Sequence, residues 1–285
     1  MKIALLPNLT REKAKDITLE ICSWLDRYGA EYACLPDIFK EFTDVANLKS
    51  MEFSELLPWC DVVICVGGDG SVLNAGKQTV DYKKPILAIN AGRLAFMAGL
   101  ESNELELLKK LIDGEYTIDR RMLIDVRVTR NGKVIAEENC INDVVLARGT
   151  HMKITDIDVD CDGKRSNTYR ADGVIVATPT GSSAYSLSAG GPIINPSMEA
   201  IVVTPICPQS LFARSTVFSA ENKIDIYCDE NSSNTDLYLS FDGSTAVSVD
   251  KNDRIEIRKS EKTAEFIRIK NDAFFEILNN KLAGM

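Results

Sequence analysis

Gly67-Gly68-Asp69-Gly70-Ser71 is the stretch whose residue types most directly suggest chemistry. It follows the β-branched run Asp61 to Val66 and precedes Ser71 to Gly76, which can start a helix. Glycines let backbone N–H groups approach a ligand closely, and a helix start adds positive partial charge at the same spot. Together they make a cradle for phosphate. Asp69 is the odd member, because a carboxylate beside phosphate is repulsive unless it has a task. It could hold Mg²⁺, or accept a proton from a hydroxyl about to attack phosphorus. A tight turn with one acidic residue is the plainer alternative, although turns alone seldom need three glycines in four positions. Gly70 to Lys77 misses a Walker A loop by one residue of spacing, and Gln78 stands where Ser or Thr is required. No G-x-G-x-x-G is present, so the ordinary dinucleotide fingerprint is absent.

A second dense region runs from Arg170 to Pro192. The apolar strand Val174 to Ala177 leads into a loop with five hydroxyl side chains between Thr178 and Ser186. Hydroxyls such as those of Thr180 and Ser183 can bond sugar or amide groups, and Ala184 permits close approach. Tyr185 could pack on a planar base. Asp172 and Arg170 suit a ribose hydroxyl and a phosphate respectively. Asn142-Asp143 interrupts an apolar strand, which marks either a ligand contact or an edge bulge. Asp158-x-Asp160-x-Asp162-Gly163 imitates the start of a calcium loop. However, Tyr169 stands where that loop needs a bidentate Glu, so a half-exposed strand ending in a hairpin is expected.

The elements that must position these residues fall into two sets. Ile3 to Leu6, Tyr32 to Leu35, Asp61 to Val66 and Pro85 to Ile89 read as buried strands. Between them, apolar positions Ala14, Ile17, Ile21, Trp24 and Leu25 predict a helix capped by Thr10 and ending at Gly29. Glu104 to Leu111 predicts another, capped by Ser102 and closed near Gly114. Strands alternating with helices imply an open parallel sheet. From about Thr117 strands follow strands, with hairpin signals at Asn131-Gly132 and Asp162-Gly163. Thr155 to Cys161, Lys223 to Cys228, Leu237 to Phe241, Arg254 to Arg258 and Glu265 to Ile269 are the further strands. The expected organisation is an α/β domain over 1–116, a β-rich domain over 117–270, and a C-terminal helix over 271–285 that packs back on the first.

Composition narrows the classes. With 285 residues, 45% hydrophobic and 26% charged, the chain can bury a sizeable core and reads as two domains. Its net charge of −9 argues against nucleic-acid partners and against a polybasic membrane anchor. His151 is the only histidine, which excludes a two-His metal site within one chain. The eight cysteines form no C-x-x-C pair and mostly sit in apolar runs, as buried small hydrophobes in a reducing compartment. No apolar run resembles a signal peptide or a membrane span, so a cytoplasmic protein is expected.

Gly67-Gly68-Asp69-Gly70, Asn142-Asp143 and the segment Asp172 to Pro192 resemble the NAD kinase family in order and spacing, over nearly the whole chain. The glycine motif alone is shared with diacylglycerol-type lipid kinases and phosphofructokinases. The long Thr178 to Pro192 segment is specific. The resemblance implies an α/β N-terminal domain with a parallel sheet, a mostly β C-terminal domain, and an active site in the cleft between them. It implies transfer of a phosphoryl group from ATP to NAD, with Mg²⁺ or another divalent cation. Asp69 then matches the acceptor of the adenosine ribose 2′-hydroxyl proton. Gly67, Gly68 and Gly70 match the phosphate-contacting loop, and Asn142 and Asp143 the pair that binds the adenosine end of NAD. Arg170 and Asp172 match residues near the 2′-phosphate and the nicotinamide riboside, which a neighbouring subunit supplies in some members. Ser183, Ala184, Tyr185 and Ser188 match dinucleotide contacts, with Asn74, Lys153 and Thr180 as further candidates; no metal ligand is assigned. The implied partners are small-molecule nucleotides and further copies of the chain, as a dimer or tetramer. A lipid or sugar kinase and a non-catalytic dinucleotide sensor are the alternatives, and loss of Asp69 would have been the sensor's mark. The chain departs from the family's usual residues at Asp143, Ala95, Gln209, Ser215 and Ser244.

Overall fold

A computed structural model describes residues 1–92, 95–150, 154–228, 236–270 and 278–279. The chain divides into two compact units, residues 1–120 with 264–285, and residues 121–263. The proposed C-terminal helix over 271–285 lies outside the described residues except at Leu278 and Asn279, which are helical.

The first unit is built on a parallel sheet. Its strands, in spatial order, are Leu48–Ser50, Glu31–Cys34, Lys2–Pro7, Val62–Gly67 and Ile86–Asn90. Val62–Gly67 and Ile86–Asn90 are buried along their whole length, as strands covered on both faces must be. Helix Ala14–Arg27 lays Ala14, Ile17, Ile21, Cys22 and Leu25 into the core beside Ile3, Leu5, Ile64 and Leu87. It begins three residues later than its spacing near Thr10 suggests. Thr10 is occupied elsewhere, its N–H and hydroxyl both donating to Asn8 Oδ1 at 3.1 and 2.7 Å. Ser102 likewise caps nothing. The chain enters helix Leu108–Asp113 through a single 3₁₀ turn, Leu105–Leu107, and Glu104 accepts the Glu101 N–H at 2.9 Å. Gly29 and Gly114 do close their helices, at φ 67° and 77°, where only glycine is unstrained.

The second unit is a pair of facing sheets. One is antiparallel in the order Thr216–Ser219, Ala200–Ile206, Gly173–Ala177, Asp143–Arg148, Leu237–Phe241, Ser244–Val249. Its inward residues, Val144, Leu146, Val174, Val176, Leu239 and Phe241, pack with Ile124, Val126, Ile157, Ile226 and Ile255 of the other. Thr155–Cys161 alternates as its sequence predicts: Thr155, Ile157 and Val159 are buried, while Asp158 and Asp160 face Arg165 at 2.6 Å each. That ion-paired face is why the aspartates do not form a calcium loop. Three hairpins carry the Asn-Gly or Asp-Gly signature with positive φ at both residues: Asn131-Gly132, Asp162-Gly163 and Asp242-Gly243. The two strands expected at Arg254 to Arg258 and Glu265 to Ile269 are one, Asp253–Arg268. Its start pairs with Ile224–Cys228 in the second unit, and its end, at Phe266, pairs with Ile86 in the first.

Candidate active site

In the first unit the sheet order reverses between Lys2–Pro7 and Val62–Gly67. Open parallel sheets bind ligands beyond the carboxyl ends of their strands at such a reversal. The two loops that leave that point are the one beginning at Asn8 and the glycine turn. They are tied together: the Asn8 N–H donates to Val66 O at 2.9 Å, and Asn8 Nδ2 donates to Ser71 Oγ at 2.8 Å.

The glycines of the turn have different reasons. A Cβ on Gly67 would stand 2.5 Å from Ser71 Cβ, so the fold itself requires glycine there. Gly68 and Gly70 are not required in this way. Neither has positive φ, a Cβ on Gly70 would meet nothing within 4 Å, and one on Gly68 would meet only the Arg11 side chain at 3.9 Å. Turn geometry therefore leaves these two unexplained, and open backbone beside a helix start explains them. Helix Asp69–Thr79 begins within the turn, two residues before Ser71, where the sequence suggests its start. Asp69 is its first residue. Its two carboxylate oxygens accept the N–H groups of Met97 and Phe96, each at 2.9 Å. The pair fixes the carboxylate plane and leaves each oxygen a further lone pair. Asn74 is exposed on the same helix.

The second unit gathers Asn142, Asp143 and the Thr178–Ser188 segment. The Thr178 N–H donates to Asn142 O at 2.8 Å, and its hydroxyl donates to Ile141 O at 2.5 Å. Asp242, which sequence reading passed over, organises the polar pair. Its carboxylate accepts the N–H groups of Ile141, Asn142 and Asp143 at 2.7 to 3.0 Å. The Asp242-Gly243 dipeptide was the available signal. Asn142 Oδ1 is buried and makes no hydrogen bond. Buried polar atoms are nearly always bonded, so this acceptor is poised for a partner that the described residues do not supply.

Asp143 is 5% exposed, and burial, with the Asp242 carboxylate beside it, pushes its carboxyl up to about 7. In the unfolded chain it ionises near pH 4. Its stabilising contribution is therefore complete below about pH 4 and lost as the pH rises through about 7. Wild type should lose about 3 kcal/mol of stability against Asp143→Asn between pH 5 and pH 8, since about two pH units of the shift lie in that interval. Urea melts of both proteins at the two pH values measure this, and parallel pH curves would contradict it.

The hydroxyl-rich loop needs correction. Thr178, Ser182 and Ser186 are fully buried and bond within the fold: Ser182 Oγ to Pro179 O at 2.6 Å, Ser186 Oγ with Thr204 Oγ1 at 2.9 Å. Thr180 is also buried, its hydroxyl accepting from Arg121 at 3.3 Å. These side chains shape the loop, because a turn that is buried must satisfy its own carbonyls. Ser183, Ala184, Tyr185 and Ser188 remain accessible. Asp172 is held by Arg148, Nε to Oδ1 at 2.7 Å and Nη2 to Oδ2 at 3.1 Å, a two-pronged pair that sequence reading missed. Arg170, mostly exposed, lies 4.0 Å from Asp156 instead. Lys153 lies outside the described residues.

Comparison with known proteins places this geometry. Residues 3–116 match the ATP-NAD kinase N-terminal domain and residues 141–269 the ATP-NAD kinase C-terminal domain. A protein of Caldanaerobacter subterraneus subsp. tengcongensis named NAD kinase is 37% identical over 282 residues, 99% of this chain and 98% of the relative. One of Acetivibrio thermocellus, also named NAD kinase, is 34% identical over 283 residues, 99% of this chain and 97% of the relative. The crystal structure of an NAD kinase from Archaeoglobus fulgidus in complex with ATP is similar with TM-score 0.76 and 25% identity, over 100% of both chains. Yeast NADH kinase complexed with NADH shares the fold at TM-score 0.91 and 24% identity, over 99% of this chain and 87% of that one. The chain belongs to the NAD kinase family, whose members are phosphotransferases.

Proposed function

We propose that the chain transfers the γ-phosphoryl group of ATP to the 2′-hydroxyl of the adenosine ribose of NAD, releasing ADP and NADP. The observation that carries this reading is the Asp69 carboxylate. It is fixed by two backbone N–H groups at the mouth of a glycine turn that is otherwise built for phosphate. Asp69 accepts the hydroxyl proton as the ribose oxygen bonds to the γ-phosphorus and the β–γ bridging oxygen departs with ADP. A ribose hydroxyl is a weak nucleophile, so alignment and charge stabilisation supply the remainder. Gly68 and Gly70 leave backbone open to the phosphates, and Asn142, Asp143, Ser183, Ala184, Tyr185 and Ser188 bind the dinucleotide, with Asn74, Arg170 and Asp172 as further contacts.

Among the described residues no cluster of three or more His, Cys, Asp or Glu could hold a metal ion. A divalent cation, Mg²⁺ by preference, would come with the triphosphate; Asp69 is kept for the hydroxyl proton, and no residue is assigned as a metal ligand. When bound it offsets the negative charge of the phosphates. Among the described residues no helix is long and apolar enough to cross a membrane; the family membership supports small-molecule nucleotide partners, the net charge of −9 argues against nucleic acid, and a cytoplasmic location is part of the proposal. The family resemblance supports a homo-oligomer, which light scattering in solution tests; a monomer at working concentration would remove it.

The direct test is incubation of the protein with ATP, Mg²⁺ and NAD, with NADP as the readout; no NADP would overturn the assignment. Tyr185, 47% exposed at the start of helix Tyr185–Ser188, is an aromatic of base size on the accessible side of the loop. Tyr185→Ala should raise KM for NAD by about tenfold and leave KM for ATP unchanged. An unchanged KM for NAD in the folded variant would remove Tyr185 from the site.

A further inference from the structure

The two N–H groups that hold the Asp69 carboxylate come from chain without regular structure, since residues 95–98 lie in neither helix nor strand. No ladder of hydrogen bonds aims the Phe96 and Met97 N–H groups, so their direction depends on how this segment is anchored. Its far end is anchored twice on one peptide plane, wholly within the first unit. The Gly99 N–H donates to Ala88 O at 2.8 Å, and the Ala98 carbonyl of the same plane accepts from Arg268 Nη1 at 2.9 Å. A planar unit held by both its N–H and its C=O cannot turn freely, and Met97 and Phe96 lie just upstream of it. The fit is close: a Cβ on Gly99 would stand 2.8 Å from Ile267 O. The segment therefore rests on the strand end that carries Arg268.

Arg268 is itself aimed. It ends strand Asp253–Arg268, and its Nε and Nη2 both lie 3.1 Å from Asp119 Oδ2, which directs Nη1 to Ala98. The Asp119 carboxylate offsets the guanidinium charge, so what passes from Arg268 toward Asp69 is position and not electrostatic field. Arginine suits this task because its planar fork serves two partners at once in fixed directions, whereas the lysine ammonium is a compact point charge.

We propose that Arg268 is a positioning residue for phosphoryl transfer: through the Ala98 carbonyl it holds the Phe96 and Met97 backbone, and through that backbone the Asp69 carboxylate, in line for the acceptor hydroxyl. This rests on the phosphoryl-transfer reading above. An ion pair that merely ties strand Thr117–Arg130 to strand Asp253–Arg268 is the competing account.

Variants of the full chain separate the two. Arg268→Met keeps the stem and removes the fork. Amide hydrogen exchange at Phe96 and Met97 should quicken about tenfold, with Val144 and Val176 of the second unit unchanged. The kcat should fall about tenfold, with KM for ATP and for NAD within about twofold of wild type, because a small misalignment costs turnover without costing binding. In an Asp69→Asn background the same substitution should cost no further turnover, since a residue that acts only through the carboxylate has nothing left to position. Arg268→Lys retains the charge beside Asp119, and with it the fold if Met does not, yet should lose kcat by a similar factor of about ten. Unchanged exchange at Phe96 and Met97, or unchanged kcat, in both variants would overturn the proposal. Full recovery with Lys would also overturn it, leaving the ion pair alone as sufficient. So would an equal loss in the Asp69→Asn background, which would route the effect around the carboxylate. If wild type makes no NADP while Arg268→Met still frees the Phe96 and Met97 amides, the anchoring of Asp69 stands and the phosphoryl-transfer reading falls.

Discussion

Asp69→Asn should lower kcat by at least about two orders of magnitude while NAD still binds. Positioned base catalysis contributes about 10²- to 10⁴-fold, and an amide of the same size cannot take the proton. The structure adds a second reason. Both carboxylate oxygens accept backbone N–H groups, from Phe96 and Met97. An Asn side chain has one acceptor oxygen, so its NH₂ group must face an N–H donor, and the side chain loses its fixed orientation. Single-turnover measurements with saturating NAD separate the chemical step from binding. NAD lacking the adenosine 2′-hydroxyl should bind and receive no phosphate. A kcat within about tenfold of wild type in the folded variant, or phosphorylation of the deoxy analogue, would exclude Asp69 as the base acting on that hydroxyl.

Gly181→Ala should be among the most destabilising single-methyl additions in the second unit, at about 3 kcal/mol or more. An added Cβ would stand 2.0 Å from Asn142 O, 2.5 Å from its carbonyl carbon and 2.8 Å from its Cα. All three are backbone atoms, so no side chain can swing away. Nor can the Asn142 backbone retreat without breaking the Thr178 N–H bond to its carbonyl or the Asp242 contacts to its N–H. Gly70→Ala is the contrast, since its Cβ meets nothing within 4 Å. It should preserve or raise the melting temperature, because Ala favours a helix start over Gly, and it should impair turnover by crowding the phosphates. A Gly181→Ala protein that melts with wild type would show that the two segments are less tightly joined than their contacts indicate.

The glycine turn, the strand before it and the helix after it were legible because each rests on local chemistry. A β-branched run, three glycines and an acidic residue need no distant partner to be recognised. The parallel sheet was legible for the same reason. What escaped the sequence depends on partners far along the chain. Asp242 caps the backbone of residues about a hundred positions earlier, and Arg148 commits Asp172 across two strands. Nothing local distinguishes those side chains from solvated ones. The buried hydroxyls misled for a related reason: Ser and Thr in a loop look ready for a ligand, and only the folded loop shows that Ser182 and Ser186 satisfy neighbours within the fold. Residues 36–60 hold two short helices and a three-residue strand, too brief for periodicity to register.

Strand Asp253–Arg268 passes from one unit into the other, and this sets the order in which the protein can be completed on the ribosome. The first unit is encoded on both sides of the second. Its parallel sheet is synthesised early but lacks the Phe266 pairing to Ile86 and the buried Ile267 and Ile269 until the last stretch of chain emerges. The second unit needs only residues 121–263 and is finished sooner. Translation therefore favours closure of the β unit while the α/β unit waits with an open sheet edge beside Ile86. A nascent chain halted after residue 263 would expose that edge and be prone to aggregate.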